Sequence, residues 1–153
     1  MKKLYGIVFM IMAALFAASL AYCDEISIGE LVDQYKNATD VQRTELENHF
    51  LGKKMMASGM IENVGEYNFF DVNTDTGEMY YKVMARQQET AGKTPYQVLF
   101  IYKDKDKVKD MGRGERIEKE GTIINIIDER LQISVWLYED ELTSKDKQLF
   151  NLQ

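Results

Sequence analysis

Tyr80, Lys82, Met84 and Arg86 recur at period two, and here the sequence first offers side chains that could do chemistry together. Alternate residues of a strand share one face, so a ring, two cations and a thioether would line up. A face of that kind stacks nucleobases when its aromatics lie in a positively charged channel. Phe69 or Phe70, just upstream, would supply a second ring. A second pair, Trp136 and Tyr138, shares an alternate set with Gln132 and Ser134 in the stretch "LQISVWLY". Exposed, two large aromatics make a contact patch for a protein or a glycan. Covered by the N-terminal helices, they become a second layer of core. The apolar stripe of those helices needs a surface to bury itself against, and this favours cover.

Charge separates the candidate ligands. The chain carries 19 basic and 25 acidic residues, a formal net charge of −6 that becomes −8 once Lys2 and Lys3 are removed. The loops expected near the first face, "ENVGEY" and "IIDER", are themselves acidic. Release of counterions from phosphates supplies most non-specific affinity for nucleic acid. An acidic chain forgoes that contribution, which argues against nucleic acid and leaves a protein or small ligand as the expected partner.

Other chemistries find little support. Met55, Met56, Met60, Met79, Met84 and Met111 invite a copper site, but they form no repeated motif. Soft metals also draw on thiolate or imidazole, and the one histidine, His49, follows the polar "ELEN". Methionine is the residue that fills irregular gaps in a small core. One His and one Cys make no nucleophile pair with an orienting third group, and no serine sits in a nucleophile elbow. The acidic runs "YEDEL" and "DKDKVKD" are mixed with lysines or lie beside a tail, as solvated surface does. "GRGE" lacks the helix and lysine of a phosphate cradle. No metal, no cofactor and no enzymatic activity are expected.

These side chains must be positioned by the elements around them, and the first 21 residues are not among those elements. Lys2 and Lys3 precede the apolar run "LYGIVFMIMAALFAASL", which ends in small residues; this is the layout of a secretory signal peptide. Ser19 and Ala21 occupy the −3 and −1 positions for cleavage after Ala21. "LAYC" offers an alternative, cleavage before a lipidated Cys23, although Tyr22 is large for the position it would hold. An uncleaved anchor is a third route to the membrane, since the run approaches the roughly 20 apolar residues that span a bilayer. The single cysteine forms no intramolecular disulfide. About 130 residues then remain, enough to bury roughly two-thirds of the unfolded surface in one core.

Ser27 and Glu30 have capping-box spacing, followed by Ile28, Leu31, Val32 and Tyr35 on one helical stripe. Thr39 and Gln42 repeat the device, with Leu46 and Phe50 on the buried side and Gly52 placed to stop the helix. "KKMMASGMIENV" reads as a strand with no consistently apolar face, as a strand crossing from one sheet layer to the other would, with Gly59 at the bend or bulge. "EYNFFDVN" and "EMYYKVMARQQ" flank the turn "TDTG" and predict a hairpin. "YQVLFIYK" follows Pro95. "RIEKEGTIINII" and "LQISVWLY" close the series, with Leu131, Ile133, Val135 and Leu137 facing the core. The last segment, 141–153, is polar with a late Leu149 and Phe150, the pattern of a docking tail.

This order resembles an OB fold. More closely, "DVQRTELENHFLGKKMMASGMIENV" and "GRGERIEKEGTIINI" resemble the exported bacterial OB-fold proteins grouped as tRNA-anticodon-binding-like. Gly52, Lys53, Gly59, Gly114, Glu115 and Gly121 match the pattern, and the likeness spans most of residues 39–138. The resemblance implies a fold and carries no functional residue with it, because fold does not fix function. The expected architecture is mainly β: a five- to six-stranded OB-type Greek-key barrel preceded by two short helices. The expected organisation is a signal peptide at 1–21 (or to 23), a helix within 22–38, the OB-fold domain at 39–140 and a polar tail at 141–153. The expected function is a non-catalytic binding or accessory module of the bacterial cell envelope. Tyr80, Lys82, Met84, Arg86, Trp136 and Tyr138 are its candidate ligand face. The alternatives are an oligonucleotide-binding domain and a structural envelope protein lipid-anchored at Cys23.

Overall fold

The computed structural model describes residues 26–68, 79–87, 93–129 and 132–152. The leader, both cleavage positions, Cys23, Phe69 and Phe70, the "TDTG" turn and Leu131 lie outside these residues.

Helix α1 spans Ile28–Asn37 and α2 spans Asp40–Phe50. Both begin with the boxes the spacing predicts. The Ser27 hydroxyl accepts from the Glu30 backbone N–H at 3.2 Å, and the Ser27 N–H donates to the Glu30 carboxylate at 2.8 Å. Thr39 and Gln42 repeat the exchange. Ile28, Leu31, Val32 and Tyr35 are buried along α1, whereas α2 buries only Phe50. The Tyr35 hydroxyl donates to Glu47 and the Arg43 guanidinium donates to the Tyr35 carbonyl, tying the two helices together. After α2 the chain turns at Gly52, whose φ of 83° an L side chain would resist.

Five strands follow: β1 Lys54–Asn68, β2 Met79–Arg86, β3 Tyr96–Tyr102, β4 Arg116–Asp128 and β5 Ile133–Tyr138. They close into a ring in the order β1-β2-β3-β5-β4. Every pairing is antiparallel except β3 with β5. The closure depends on β1. Its first half pairs with β4, its second half with β2, and Met60 lies opposite both Arg116 and Arg86. A Cβ on Gly59 would meet the Arg86 carbonyl oxygen at 2.9 Å, so a glycine is needed where the strand changes partners. The register shift itself falls later, between Ile61 and Asn63. This bulge reverses which residues face inward: Ile61 lies opposite buried Ala85, while Asn63 lies opposite Met84 on the outer face.

The ring encloses one apolar cluster. Val83 and Ala85 of β2, Val98 and Phe100 of β3, Ile123 and Ile126 of β4, and Ile133, Val135 and Leu137 of β5 belong to it. The apolar residues of α1 and Phe50 of α2 join the same cluster. Lys36 and Arg43 pair with Asp128 at the end of β4, at 3.3 and 3.0 Å, and the Asp33 carboxylate accepts from the Thr94 N–H just before β3. The helices therefore close one opening of the ring. The charged connector after β3 holds a single turn at Lys105–Lys107 and drives Val108 into the inner cluster.

Among the described residues there are five strands, the lower of the five to six expected, and a third helix that the sequence reading did not include. Helix α3, Ser144–Leu149, lies in the segment expected to be a polar tail. It begins with its own capping box, Thr143 with Asp146.

Candidate binding face

A second apolar cluster lies apart from the inner one. It forms because alternate residues of the strands point out of the ring, and the register arranges them in rows. Asn63, Met84, Leu99, Trp136 and Asn125 make one row across β1, β2, β3, β5 and β4. Gly65, Lys82, Ile101, Tyr138 and Thr122 make the next. Arg86, Gln97, Ser134 and Ile127 make a third. All six residues singled out from the sequence thus share the outer face of one sheet, joined by the outward residues of β3.

The face has three parts. At the end nearest the β4–β5 turn, the Gln97 amide donates to the Ser134 hydroxyl at 2.6 Å, and that hydroxyl donates to Glu129 at 2.8 Å. The polar groups buried there are thereby satisfied. Beside this network Arg86 is half exposed and pairs with Glu62 at 3.2 Å.

The middle is open. Trp136, Met84, Lys82 and Tyr67 are partly exposed. The Tyr67 and Trp136 rings meet edge to face with centroids 5.3 Å apart, and the Lys82 ammonium lies 5.3 Å from the Tyr67 centroid. Partial burial pushes the Tyr67 phenol above its ordinary value, so at neutral pH this ring is an uncharged partner for the cation. An aromatic pair with one ammonium can hold a flat or apolar group against the sheet.

The third part is covered. Tyr80 and Tyr138 are each 1% exposed, and the ring of Phe150, just past α3, lies over them. Its centroid is 5.2 Å from that of Tyr138 and 6.3 Å from that of Tyr80. Leu142, Leu149 and Leu152 pack against the same cluster. Asp146, also 1% exposed, lies 3.5 Å from the Lys103 ammonium and accepts from the Tyr80 hydroxyl at 3.4 Å. Its carboxylate further accepts from the Thr143 N–H and hydroxyl at 2.9 and 2.6 Å. Burial pushes the carboxyl up, but the Thr143 hydrogen bonds and the Lys103 charge outweigh it, and the net effect is below the ordinary aspartate value.

The expectation that the N-terminal helices cover Trp136 and Tyr138 is corrected here. The stripe on α1 joins the inner cluster, and the cover over Tyr138 comes from Phe150 and its neighbours at the other end of the chain. Tyr80 and Tyr138 are accordingly floor rather than open surface. Tyr67 was missed because "ENVGEY" reads as a loop, whereas residues 62–67 continue β1 past the bulge and the start of "IIDER" belongs to β4. Asp146 was missed because its partners lie on β2 and at the end of β3. Among the described residues no three His, Cys, Asp or Glu side chains are grouped so as to hold a metal ion.

Strand order, the parallel β3–β5 pair and the strand that serves both edges define an OB-like ring. No family model and no curated protein matches the chain. Among solved structures it is similar to a protein of Klebsiella pneumoniae provisionally described as a nucleic acid-binding lipoprotein. The identity is 14%, the TM-score 0.51, and the match covers 83% of this chain and 97% of that one. The mitochondrial single-stranded DNA-binding protein Rim1 of S. cerevisiae matches at 13% identity and a TM-score of 0.38, over 58% of this chain and 90% of that one. The first likeness is one of fold, and the second is too loose to carry an argument.

Proposed function

We propose that this chain is a non-catalytic binding module, exported to the bacterial cell envelope, that takes its ligand on the outer sheet face around Trp136. One observation carries the reading. Tyr67, Lys82, Met84 and Trp136 form a continuous, partly exposed surface on the side of the sheet where OB folds hold their ligands. The Ser134 hydroxyl, buried on that face, donates to Glu129 and accepts from Gln97, a network that fixes the end of the sheet. An aromatic and thioether surface with one ammonium suits an apolar or aromatic group of a protein or small ligand. The acidic chain suits a polyanion poorly. Export rests on the basic start and apolar run of residues 1–21, and the motif glycines support a place among the exported tRNA-anticodon-binding-like proteins. Intact mass of the processed protein tests export: a start at Tyr22 supports a soluble envelope protein, and an acylated Cys23 an anchored one.

A second reading, binding of single-stranded nucleic acid, is favoured by the Lys82–Tyr67 contact beside Trp136. The description of the Klebsiella pneumoniae protein points the same way. Trp136 is the chain's single tryptophan and reports on both readings. Emission that changes with a thymidine oligonucleotide at low salt, and recovers when salt is added, supports nucleic acid. Emission unmoved up to tens of micromolar, a weak threshold for such binding, supports the protein or small-ligand reading.

A further inference from the structure

The covered third of the face has the features of a binding site that is already filled. Tyr80, Ile101, Ile124 and Tyr138 make a floor for one aromatic ring, and the Phe150 ring lies on it. One helical turn earlier, the Asp146 carboxylate meets the Lys103 ammonium and the Tyr80 hydroxyl. Residues four apart share a helix face, so the sheet presents a ring site and a carboxylate site spaced for one turn of helix. The sheet side of the ring site comes from the strands, and the sheet side of the carboxylate site from Tyr80 and Lys103, while Thr143 of the segment itself supplies the shorter hydrogen bonds to Asp146.

The occupant is poorly suited to hold its own shape. Helix α3 has six residues, too few to offset the cost of nucleation without a surface to dock on. Its apolar side chains belong to the outer cluster and not to the inner one. Its departure would leave the inner cluster covered.

We propose that the covered part of the face is a peptide site and that residues 142–152 fill it in cis. The external ligand it accepts is a short amphipathic helix with an acidic and an aromatic side chain four residues apart. The proposal rests on the reading of the outer sheet face as the ligand face. The tether keeps the segment at an effective concentration of order millimolar, so the full chain binds such a ligand far more weakly than a chain lacking the segment. An incoming helix carries in the same motion the ring and the carboxylate that it displaces.

The test compares the full chain with one ending at Asp140, using a labelled peptide of residues 141–153. The shortened chain is expected to bind it, with a change in Trp136 emission. With a tether of order millimolar and a peptide that the shortened chain binds at about 0.1 mM, the full chain is expected to bind about tenfold more weakly. A peptide carrying Phe150→Ala should lose most of the binding, and one carrying Asp146→Asn should lose part. A folded shortened chain that ignores the peptide at millimolar concentration overturns the proposal. So does equal binding by both chains. If the shortened chain fails to fold, hydrogen exchange on the full chain decides. Amides of 147–150 exchanging far faster than those of β3 and β5 support a segment that opens locally; equal protection overturns it. A shortened chain whose Trp136 answers an oligonucleotide but not the peptide keeps the ligand face and removes the peptide assignment.

Discussion

Two glycines on β1 give predictions of opposite sign. A Cβ at Gly59 would lie 2.9 Å from the Arg86 carbonyl oxygen and 3.1 Å from the Ala85 Cβ, whereas one at Gly65 would meet nothing within 4 Å. The Gly59 clash is with backbone, at the point where β1 passes from β4 to β2, so relief requires the ring to open slightly. Overpacking of this kind costs about 1–3 kcal/mol. Reduced freedom of the unfolded chain returns about 0.4–1 kcal/mol for any compatible Gly→Ala change. Gly59→Ala should therefore destabilise by about 1.3 kcal/mol at the centre of these ranges, and Gly65→Ala should stabilise by about 0.4–1 kcal/mol. Urea unfolding followed by far-UV circular dichroism and by Trp136 emission measures both. Coincident transitions and unchanged slopes would license the comparison. A Gly59→Ala protein as stable as wild type, or more so, would refute the reasoning that ring closure depends on close approach at this residue.

Acid should undock the C-terminal helix before it unfolds the ring. The Asp146 carboxyl is held below its ordinary value of 3.8, so its contribution is complete above that pH and is lost as pH falls through the lower folded value. Ring-proton shifts of Phe150 and Tyr138 should report this step, and Asp146→Asn should abolish it. Tyr35→Phe removes the hydroxyl that donates to Glu47 and should cost about 0.5–1.5 kcal/mol in urea unfolding, with no effect on any ligand response of Trp136. Gln97→Ala takes a donor from the Ser134–Glu129 network. It should cost about 1–3 kcal/mol, as the loss of a buried partner does, and an unchanged midpoint would show that water replaces it.

The helix starts were legible because a capping box is local: Ser27 with Glu30 and Thr39 with Gln42 need only three residues of sequence. Period two on β5 was legible for the same reason, since no bulge interrupts Ile133–Tyr138. On β1 the stretch "ENVGEY" reads as a loop but continues the strand past the bulge between Ile61 and Asn63, and Tyr67 was lost with it. β3 is buried at every position, and with Leu99 and Ile101 outward as well as Val98 and Phe100 inward its apolar residues do not say which way they look. The sequence therefore showed two separate sets, one on β2 and one on β5, without the strand that joins them. Helix α3 had a local signal that went unread, the Thr143-x-x-Asp146 spacing of a third capping box. The late Leu149 and Phe150 did mark a docking tail, but the surface it docks on was not legible, because Phe150 meets residues on strands far away in sequence.

The most direct test of the central claim, that the C-terminal segment lies on the outer sheet face shared by Tyr80, Trp136 and Tyr138, is a set of proton–proton nuclear Overhauser contacts in the processed protein. Cross-peaks between the Phe150 ring and the rings of Tyr80 and Tyr138, with a second set between Tyr67 and Trp136, are the predicted result. Phe150 protons at random-coil shifts with no contact to either tyrosine, in a protein whose β-sheet contacts are intact, would contradict it.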